Sequence, residues 1–291
     1  MLKGVDIGGT FVKVLWEDGR REKHRIFDFK NNRDLLLEKL REVILNGHPS
    51  GVGIAVAGFT SRSGVISHSP NIPVLNGLDL RKLLAGMDIP FVAGNDVSIG
   101  AFGEWYYDYR DSEILVLVAV GTGLGGGLVV GGKPFFGVSG TAMEIGHHTV
   151  LMDGRRCSCG RRGCWEAYCS SYGLSETYGK LGGEPLKDYQ IIERAREGEE
   201  TARRAVVEFK KFLIRGLMNL VHILNPDQIV LGGGVIEGMK ELLGDIEKDL
   251  KNVVEDLPAG DVKVGYSTAG EFMGARGALA FIKSRTADNT F

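Results

Sequence analysis

In "LKGVDIGGTFVKVLWEDG" apolar and polar positions alternate on both sides of a Gly-Gly pair. That alternation predicts a strand, a tight turn and a second strand, with "HRIFDF" as a candidate third. The spacing then changes. "DLLLEKLREVILNG" carries apolar residues at helical spacing and stops at Gly47, which predicts a helix. "GVGIAVAG" is apolar without alternation, the pattern of a strand covered on both faces. "DLRKLLAGM" predicts a short helix, "IPFVAG" a strand, and "VSIGAFGEWYY" a helix in spite of its glycines.

A second cycle opens with "EILVLVAVGTGLGGGLVVGGKPFFG", again strand, glycine turn and strand. The long middle is helical, above all "EETARRAVVEFKKFLIRGLMNLVHILNP", which Pro226 ends. "DQIVLGGGV" predicts a strand running into a glycine turn, then one helix over "MKELLGDIEKDLKNVVEDL". "VKVGYS" and "GARGALAFIKSR" close the chain as a strand and a helix. The repeat predicts an α/β fold of two lobes, 1–110 and 111–273, with a cleft between them. The closing helix, about 274–291, is a candidate to pack back on the first lobe. Ligands of such folds sit at the carboxyl ends of strands.

At 291 residues the chain has ample core for two lobes. A net charge of −2 gives no support to a nucleic-acid or acidic-membrane surface. No apolar run is long enough for a transmembrane helix, and "MLKGVDIGGT" lacks a signal-peptide pattern, so a cytoplasmic protein is expected. The 43 glycines cluster in motifs, which marks tight turns or close approach to a ligand rather than disorder. All four cysteines lie between Cys157 and Cys169. A disulfide framework would staple distant segments, so this spacing favours a metal clip.

Three glycine runs each follow a strand. In "DIGGT", Asp6 precedes Gly8, Gly9 and Thr10; a carboxylate there can hold hydrated Mg²⁺ while bare backbone N–H groups meet a phosphate. The same pattern also fits an ordinary hairpin turn. "GTGLGGG" contributes Gly121, Thr122, Gly123 and Gly125, and "LGGGV" contributes Gly232, Gly233 and Gly234 at the start of a helix. None matches the P-loop or dinucleotide fingerprints, yet three such turns in two lobes point to a nucleotide.

These runs resemble the phosphate-1, phosphate-2 and adenosine motifs of the actin-like ATPase/sugar kinase superfamily, with its ribonuclease H-like lobes. "ExGH" at Glu144–His147 with "CxCGxxGCxE" at Cys157–Glu166 resembles the signature of the ROK family of sugar kinases, open reading frames and repressors. The resemblance runs from Asp6 to "GARGALA". His147, Cys157, Cys159 and Cys164 then make a Cys₃His set suited to structural Zn²⁺ in a loop over 144–166. His148 is an alternative to His147, but family spacing favours His147; Cys169 suits the core. A zinc-bound imidazole offers its second N–H in a fixed orientation. The resemblance implies that Glu144, His147 and Glu166 contact the hydroxyls at C1 to C3 of a hexopyranose. It also implies that Asp96 is the catalytic carboxylate, with Asn95 and Asn71 as sugar contacts. A primary alcohol attacking a γ-phosphoryl group needs such a carboxylate to accept its proton.

Two departures stand out. Phe11 occupies the place of a usual lysine, with Lys13 the next cation on that face, and "GIAVAGFTSRSGVI" lacks the usual proline near Gly58. The resemblance implies an ATP-dependent, homodimeric hexokinase acting on the 6-hydroxyl, with glucose first and allose, N-acetylglucosamine, N-acetylmannosamine or fructose as alternatives. A sugar-responsive repressor would carry a winged helix before the first motif, and "DIGGT" begins at Asp6. A non-catalytic sugar-binding regulator is the alternative of another class, against which Asp6, Asp96 and both phosphate loops count. A polyphosphate donor would need a further cationic track.

Overall fold

The computed structural model describes residues 1–61, 63–86 and 89–287. Two compact units divide it: Met1–Asp111 with Gly127–Met143 and Glu271 onward, and Ser112–Gly126 with Glu144–Gly270. Among the described residues no helix is long and apolar enough to cross a membrane.

In the first unit β1 (Leu2–Ile7), β2 (Phe11–Trp16) and β3 (Arg21–Arg25) form an antiparallel meander. Helix α1 (Arg33–Leu45) follows, then β4 (Gly51–Val56), a small sheet of β5 (Phe59–Thr60), β6 (Val65–His68) and β7 (Leu78–Asp79), and the single turn α2 (Leu80–Leu83). β8 (Phe91–Asn95) completes the main sheet in the order β3-β2-β1-β4-β8 and leads into α3 (Asp96–Asp108). Val12, Val14 and Trp16 are buried on one face of β2, as the alternation predicts, while every residue of β4 is buried. The Asn32 side chain caps α1 by accepting from Leu35 N–H, and Leu36, Leu40, Val43 and Ile44 form its buried stripe. Its last carbonyls are met by a buried cation. Lys3 Nζ donates to the carbonyls of Val43, Ile44 and Asn46 at 2.6, 3.2 and 3.0 Å.

β9 (Ile114–Val120) and β10 (Leu124–Val130) open the second sheet, with β11 (Lys133–Pro134) at its edge. Helices α4 (Ser171–Lys180), α5 (Asp188–Glu197) and α6 (Glu200–Leu224) precede β12 (Gln228–Gly232). Next come α7 (Gly234–Leu243), α8 (Ile246–Lys251), α9 (Asp256–Asp261) and β13 (Lys263–Tyr266), giving the order β11-β10-β9-β12-β13. β12 lies parallel to both β9 and β13. In α6 the residues Ala205, Phe209, Leu213, Leu217 and Leu220 form one buried stripe, and Asn225 ends the helix in a left-handed conformation.

The closing helix α10 (Met273–Ala287) belongs to the first unit. Cβ atoms added at Gly4 and Gly53 would lie 2.1 and 1.9 Å from the carbonyl oxygens of Ala275 and Ala278. The glycines of β1 and β4 thus let α10 lie backbone-to-backbone on the sheet.

Four elements differ from expectation. The third strand is Arg21–Arg25 rather than "HRIFDF", because β2 pairs Phe11 with Arg25 and Leu15 with Arg21, and Phe27–Phe29 turns into a 3₁₀ helix. The helix expected over "MKELLGDIEKDLKNVVEDL" starts earlier, at Gly234, and breaks at Gly244, whose φ of 64° disfavours other residues; Asp245 then caps α8. Residues Gly127–Met143 fall with the first unit rather than with 111–273. There Phe136 packs on Phe281 of α10, and Gly140 packs on Thr60. The short helix near "DLRKLLAGM" spans only Leu80–Leu83, and its Met87, like residues 288–291, lies outside the described residues.

Candidate functional site

In the first unit β1, β4 and β8 run parallel, so their carboxyl ends share one edge: Asp6 pairs with Ala55, and Val56 pairs with Asn95. Asp96 opens α3, and its Oδ1 accepts from Asn95 Nδ2 and from its neighbour Val97 N–H, each at 3.0 Å. Asn95 Oδ1 accepts from the N–H groups of Val97 and Ser98 at 3.1 and 3.0 Å, and Nδ2 also donates to Gly58 O at 3.2 Å. Both amide protons and both acceptor positions are therefore taken up in capping α3 and aiming Asp96. Asn95 thus stands beside Asp96 at the strand edge, where the sugar contact expected of it stays a proposal.

The Asp6 carboxyl is pushed up to about 7, first by burial and then by the Asp96 charge, with Lys13 opposing. A Cβ at Gly274 would lie 2.7 Å from Asp6 Cγ, so only glycine lets the first turn of α10 meet this carboxyl. Lys13, the cross-strand partner of Asp6, donates to Glu271 O at 2.6 Å, and Lys23 donates to Glu271 Oε2 at 2.7 Å. Lys23 Nζ also sits 4.5 Å from the centre of the Phe11 ring. A neighbouring strand thus brings a cation to the position where Phe11 replaces lysine. The turn between β1 and β2 is closed by Gly8 N–H to Phe11 O at 3.1 Å, and Thr10 is exposed. Asn71 lies beside Gly9, where an added Cβ would come within 3.1 Å of the Asn71 Cβ.

In the second unit Gly121 N–H donates to Gly123 O at 2.9 Å across the β9–β10 turn containing Thr122, and Gly125 follows within β10. At the end of β12, Gly233 has φ 89°, and an added Cβ would lie 2.4 Å from Val120 O at the end of β9. Gly232 and Gly234 flank it, and α7 starts at Gly234.

His147, Cys157, Cys159 and Cys164 offer ligand atoms that all lie within 4.8 Å of one another. Cys159 Sγ and Cys164 Sγ are 3.6 Å apart, and Cys157 Sγ is 3.7 Å from His147 Nδ1. Sulfurs around a tetrahedral zinc with Zn–S bonds of about 2.3 Å stand roughly 3.8 Å apart, so the donor set fits Zn²⁺. Burial opposes the Cys159 thiolate, but hydrogen bonds from Arg161 and the other thiols outweigh it and bring it down to about 6. Burial and the two neighbouring cysteines push Cys164 up to about 12. Three crowded sulfurs cannot all ionise without a cation among them. His148 does not compete: its ring nitrogens face Ile145 O and, at 3.1 Å, Asn219 Nδ2. Cys169 is a fully buried core residue.

Glu144 and Glu166 stand beside this cluster. Loss of solvent raises the Glu144 carboxyl above its ordinary range; the His147 ring opposes the shift and the Glu166 charge adds to it. Glu166 is buried, and its Oε2 accepts from Leu124 N–H of the second glycine turn at 3.0 Å.

The sequence profile of the ROK family matches residues 2–285. This chain belongs to the ROK family. Within the ROK family it is 30% identical to the kanosamine kinase of Amycolatopsis mediterranei over 95% of this chain and 94% of that protein. It is 31% identical to the glucokinase of Thermotoga maritima over 98% of both chains. A ROK family glucokinase from Streptomyces griseus, solved with glucose and AMPPNP, superposes with a TM-score of 0.80 at 27% identity, over 97% of this chain and 99% of that one.

The structure adds residues to this ROK site that no sequence pattern marked. Arg155 Nη1 reaches Ala167 O, Gly173 O and Thr177 Oγ1 at 3.4, 3.2 and 2.8 Å, tying the cysteine loop to α4. Ser158 and Tyr172 both reach Glu166. Arg155, Ser158 and Tyr172 meet partners from other parts of the chain, so only the folded chain shows these contacts.

Proposed function

We propose that this chain transfers the γ-phosphoryl group of ATP to the 6-hydroxyl of a hexose, with D-glucose as the first substrate to test. The observation that carries the reading is the pair Asp6 and Asp96, two carboxylates that feel each other's charge at the carboxyl edge of parallel strands. Family membership and the names of the relatives support a sugar kinase; among alternatives, allose, N-acetylglucosamine, N-acetylmannosamine and fructose compete with glucose. A homodimer in the cytoplasm belongs to the same reading, with the exposed Val207 and Ile223 of α6 as candidate contact residues.

Asp96, held by Asn95, accepts the proton of the 6-hydroxyl while that oxygen forms its bond to the γ-phosphorus. The bridging P–O bond then breaks and ADP leaves with the electron pair. Backbone N–H groups of the turns at Gly8–Thr10, Gly121–Gly123 and Gly232–Gly234 receive the phosphates and the flat base. Asp6, buried beside the Asp96 charge, would hold Mg²⁺, which would offset that repulsion and neutralise phosphate charge when bound. Glu144, His147 and Glu166 take the hydroxyls at C1 to C3, and Asn71 is a further contact. The zinc set is closed by four protein ligands, so its role is to fix the His147 ring and leave Nε2 for the sugar.

The test is an ADP-release assay with Mg-ATP across glucose, allose, fructose, N-acetylglucosamine and N-acetylmannosamine. Strong turnover with one sugar supports the reading and names the substrate. No turnover with any of them, with sugar binding still measurable by calorimetry, would replace it by a non-catalytic sugar-binding regulator.

A further inference from the structure

Glu166 is held more completely than a residue that merely lines a pocket. Its Oε1 accepts from Ser158 Oγ at 2.8 Å and from Tyr172 OH at 3.2 Å. Its Oε2 accepts from Leu124 N–H at 3.0 Å and lies 2.5 Å from where a Cβ on Gly123 would stand. Cys157 Sγ is 3.8 Å from Oε1 and 3.7 Å from Tyr172 OH. The three donors come from three places: the cysteine loop, the first turn of α4 and the glycine turn between β9 and β10.

A carboxylate accepts about four hydrogen bonds, two on each oxygen. Both positions on Oε1 are taken by the two hydroxyls, with the Cys157 thiol also at 3.8 Å, and one position on Oε2 is taken by Leu124 N–H. The single position left belongs to Oε2. We infer that Ser158 and Tyr172 are positioning residues for the sugar site: they saturate Oε1 and turn Oε2, so that Glu166 reads one substrate hydroxyl and no more. The inference rests on the reading of Glu166 as a sugar contact and adds which oxygen is used, how many hydroxyls it accepts, and what holds it.

Both hydroxyls also touch the ligand candidate Cys157, with Ser158 Oγ at 3.8 Å and Tyr172 OH at 3.7 Å from its Sγ, so zinc content is read beside sugar affinity. Neither Ser158 nor Tyr172 supplies a metal ligand, since the four donors are His147, Cys157, Cys159 and Cys164. Removing either hydroxyl leaves all four donor atoms of the metal set in place, takes one contact from Cys157 Sγ and loosens the hold on Oε1. A carboxylate with a free position on each oxygen can rotate and accept elsewhere, and the aim of Oε2 is lost.

The experiment compares Ser158→Ala, Tyr172→Phe, Ser158→Thr and Glu166→Gln in the full chain. The probe is the fastest-reacting hexose of the substrate panel, or the tightest-binding one by calorimetry where turnover is absent. It is followed by its 1-, 2- and 3-deoxy forms. Ser158→Ala and Tyr172→Phe should each weaken sugar binding about tenfold, as expected for a disturbed hydrogen bond to a charged group. Zinc should stay at parent stoichiometry, kcat should change far less than KM, and Ser158→Thr should restore affinity. The penalty should vanish for one of the three deoxy sugars, the one lacking the hydroxyl that Oε2 reads; a purely structural role would penalise all three alike. Unchanged sugar affinity in Ser158→Ala and Tyr172→Phe, with Glu166→Gln still impaired, overturns the clamp and keeps the sugar role of Glu166. Unchanged affinity in Glu166→Gln overturns that role itself. Loss of zinc from Ser158→Ala and Tyr172→Phe assigns the hydroxyls to the metal loop and also overturns the clamp.

Discussion

Replacing Asp96 with asparagine alters little of the local geometry and removes one charge. The side chains are nearly isosteric, and an amide oxygen can still accept from Asn95 Nδ2 and Val97 N–H, so α3 keeps its start. Lost are the basicity that takes the hydroxyl proton in the proposed mechanism and the negative charge beside Asp6. A positioned general base contributes about 10²–10⁴-fold to turnover, which corresponds to roughly 2.7–5.5 kcal/mol of activation free energy at 1.36 kcal/mol per decade. Because the Asp96 charge is the second cause of the raised Asp6 pKa, the Asp6 titration should also move down from about 7 toward the usual carboxylate range. The expected Asp96→Asn phenotype is therefore a kcat lower by about two to four decades with sugar affinity within about threefold of the parent. It also includes an acid limb of the pH–rate profile displaced to lower pH. ADP release measured from pH 5 to 9, with sugar binding followed by calorimetry, reads both quantities. A kcat within tenfold of the parent would remove Asp96 from the chemistry; a lowered kcat with an unmoved acid limb would sever its coupling to Asp6.

Four further outcomes are expected. Cys159→Ser should release zinc, measured by atomic absorption, and weaken sugar binding through the loosened His147; stoichiometric zinc in that variant would refute the ligand set. Asp6 has a folded pKa raised above the unfolded value, so it binds more protons when folded, and its contribution to stability falls as pH rises from about 4 to about 7. Thermal melts without divalent cation should show this dependence in the parent and lose it in Asp6→Asn, and an equal slope in both would contradict the assignment. Gly277→Ala should lower stability by about 1–3 kcal/mol, because its Cβ would stand 2.2 Å from the Ile99 carbonyl of α3. Gly179→Ala, with nothing within 4 Å, should be neutral or stabilising in the same urea titration.

Local pattern carried most of the strands. Alternation in β2, the unbroken apolar run of β4 and the stripes of α1 and α6 are direct imprints of burial, and the structure places them as the spacing predicts. The failures arise where a distant partner decides. "HRIFDF" is more apolar than "REKHR", yet the hairpin after β2 ends at Arg20 and fixes the register, so the charged segment becomes the edge strand. Gly127–Met143 continues β10 in sequence but groups with α3 and α10, a choice made by Phe136, Phe281 and Trp105 that no local period reveals. Asn95 shows the same limit at the site. The family resemblance implied a sugar contact, and only the folded positions of Gly58, Val97 and Ser98 show that its amide also caps α3.

In the cysteine loop a metal would serve structure rather than chemistry. Leu151 and Met152 are exposed, as are Arg156, Ser158, Cys159, Arg161 and Arg162, so this segment buries little apolar surface of its own. Segments with few buried apolar contacts open locally at low cost. Yet Glu166, two residues beyond Cys164, has to be held against Leu124 N–H to within a hydrogen-bond length. Metal bonds from His147, Cys157, Cys159 and Cys164 would replace the missing core, and the Arg155 contacts with α4 anchor the loop from the other side. Glu166 is thus held from three places: the cysteine loop that a cation would rigidify, the first turn of α4 and the start of β10. A change at any of them should appear first as weaker sugar binding rather than as an unfolded chain.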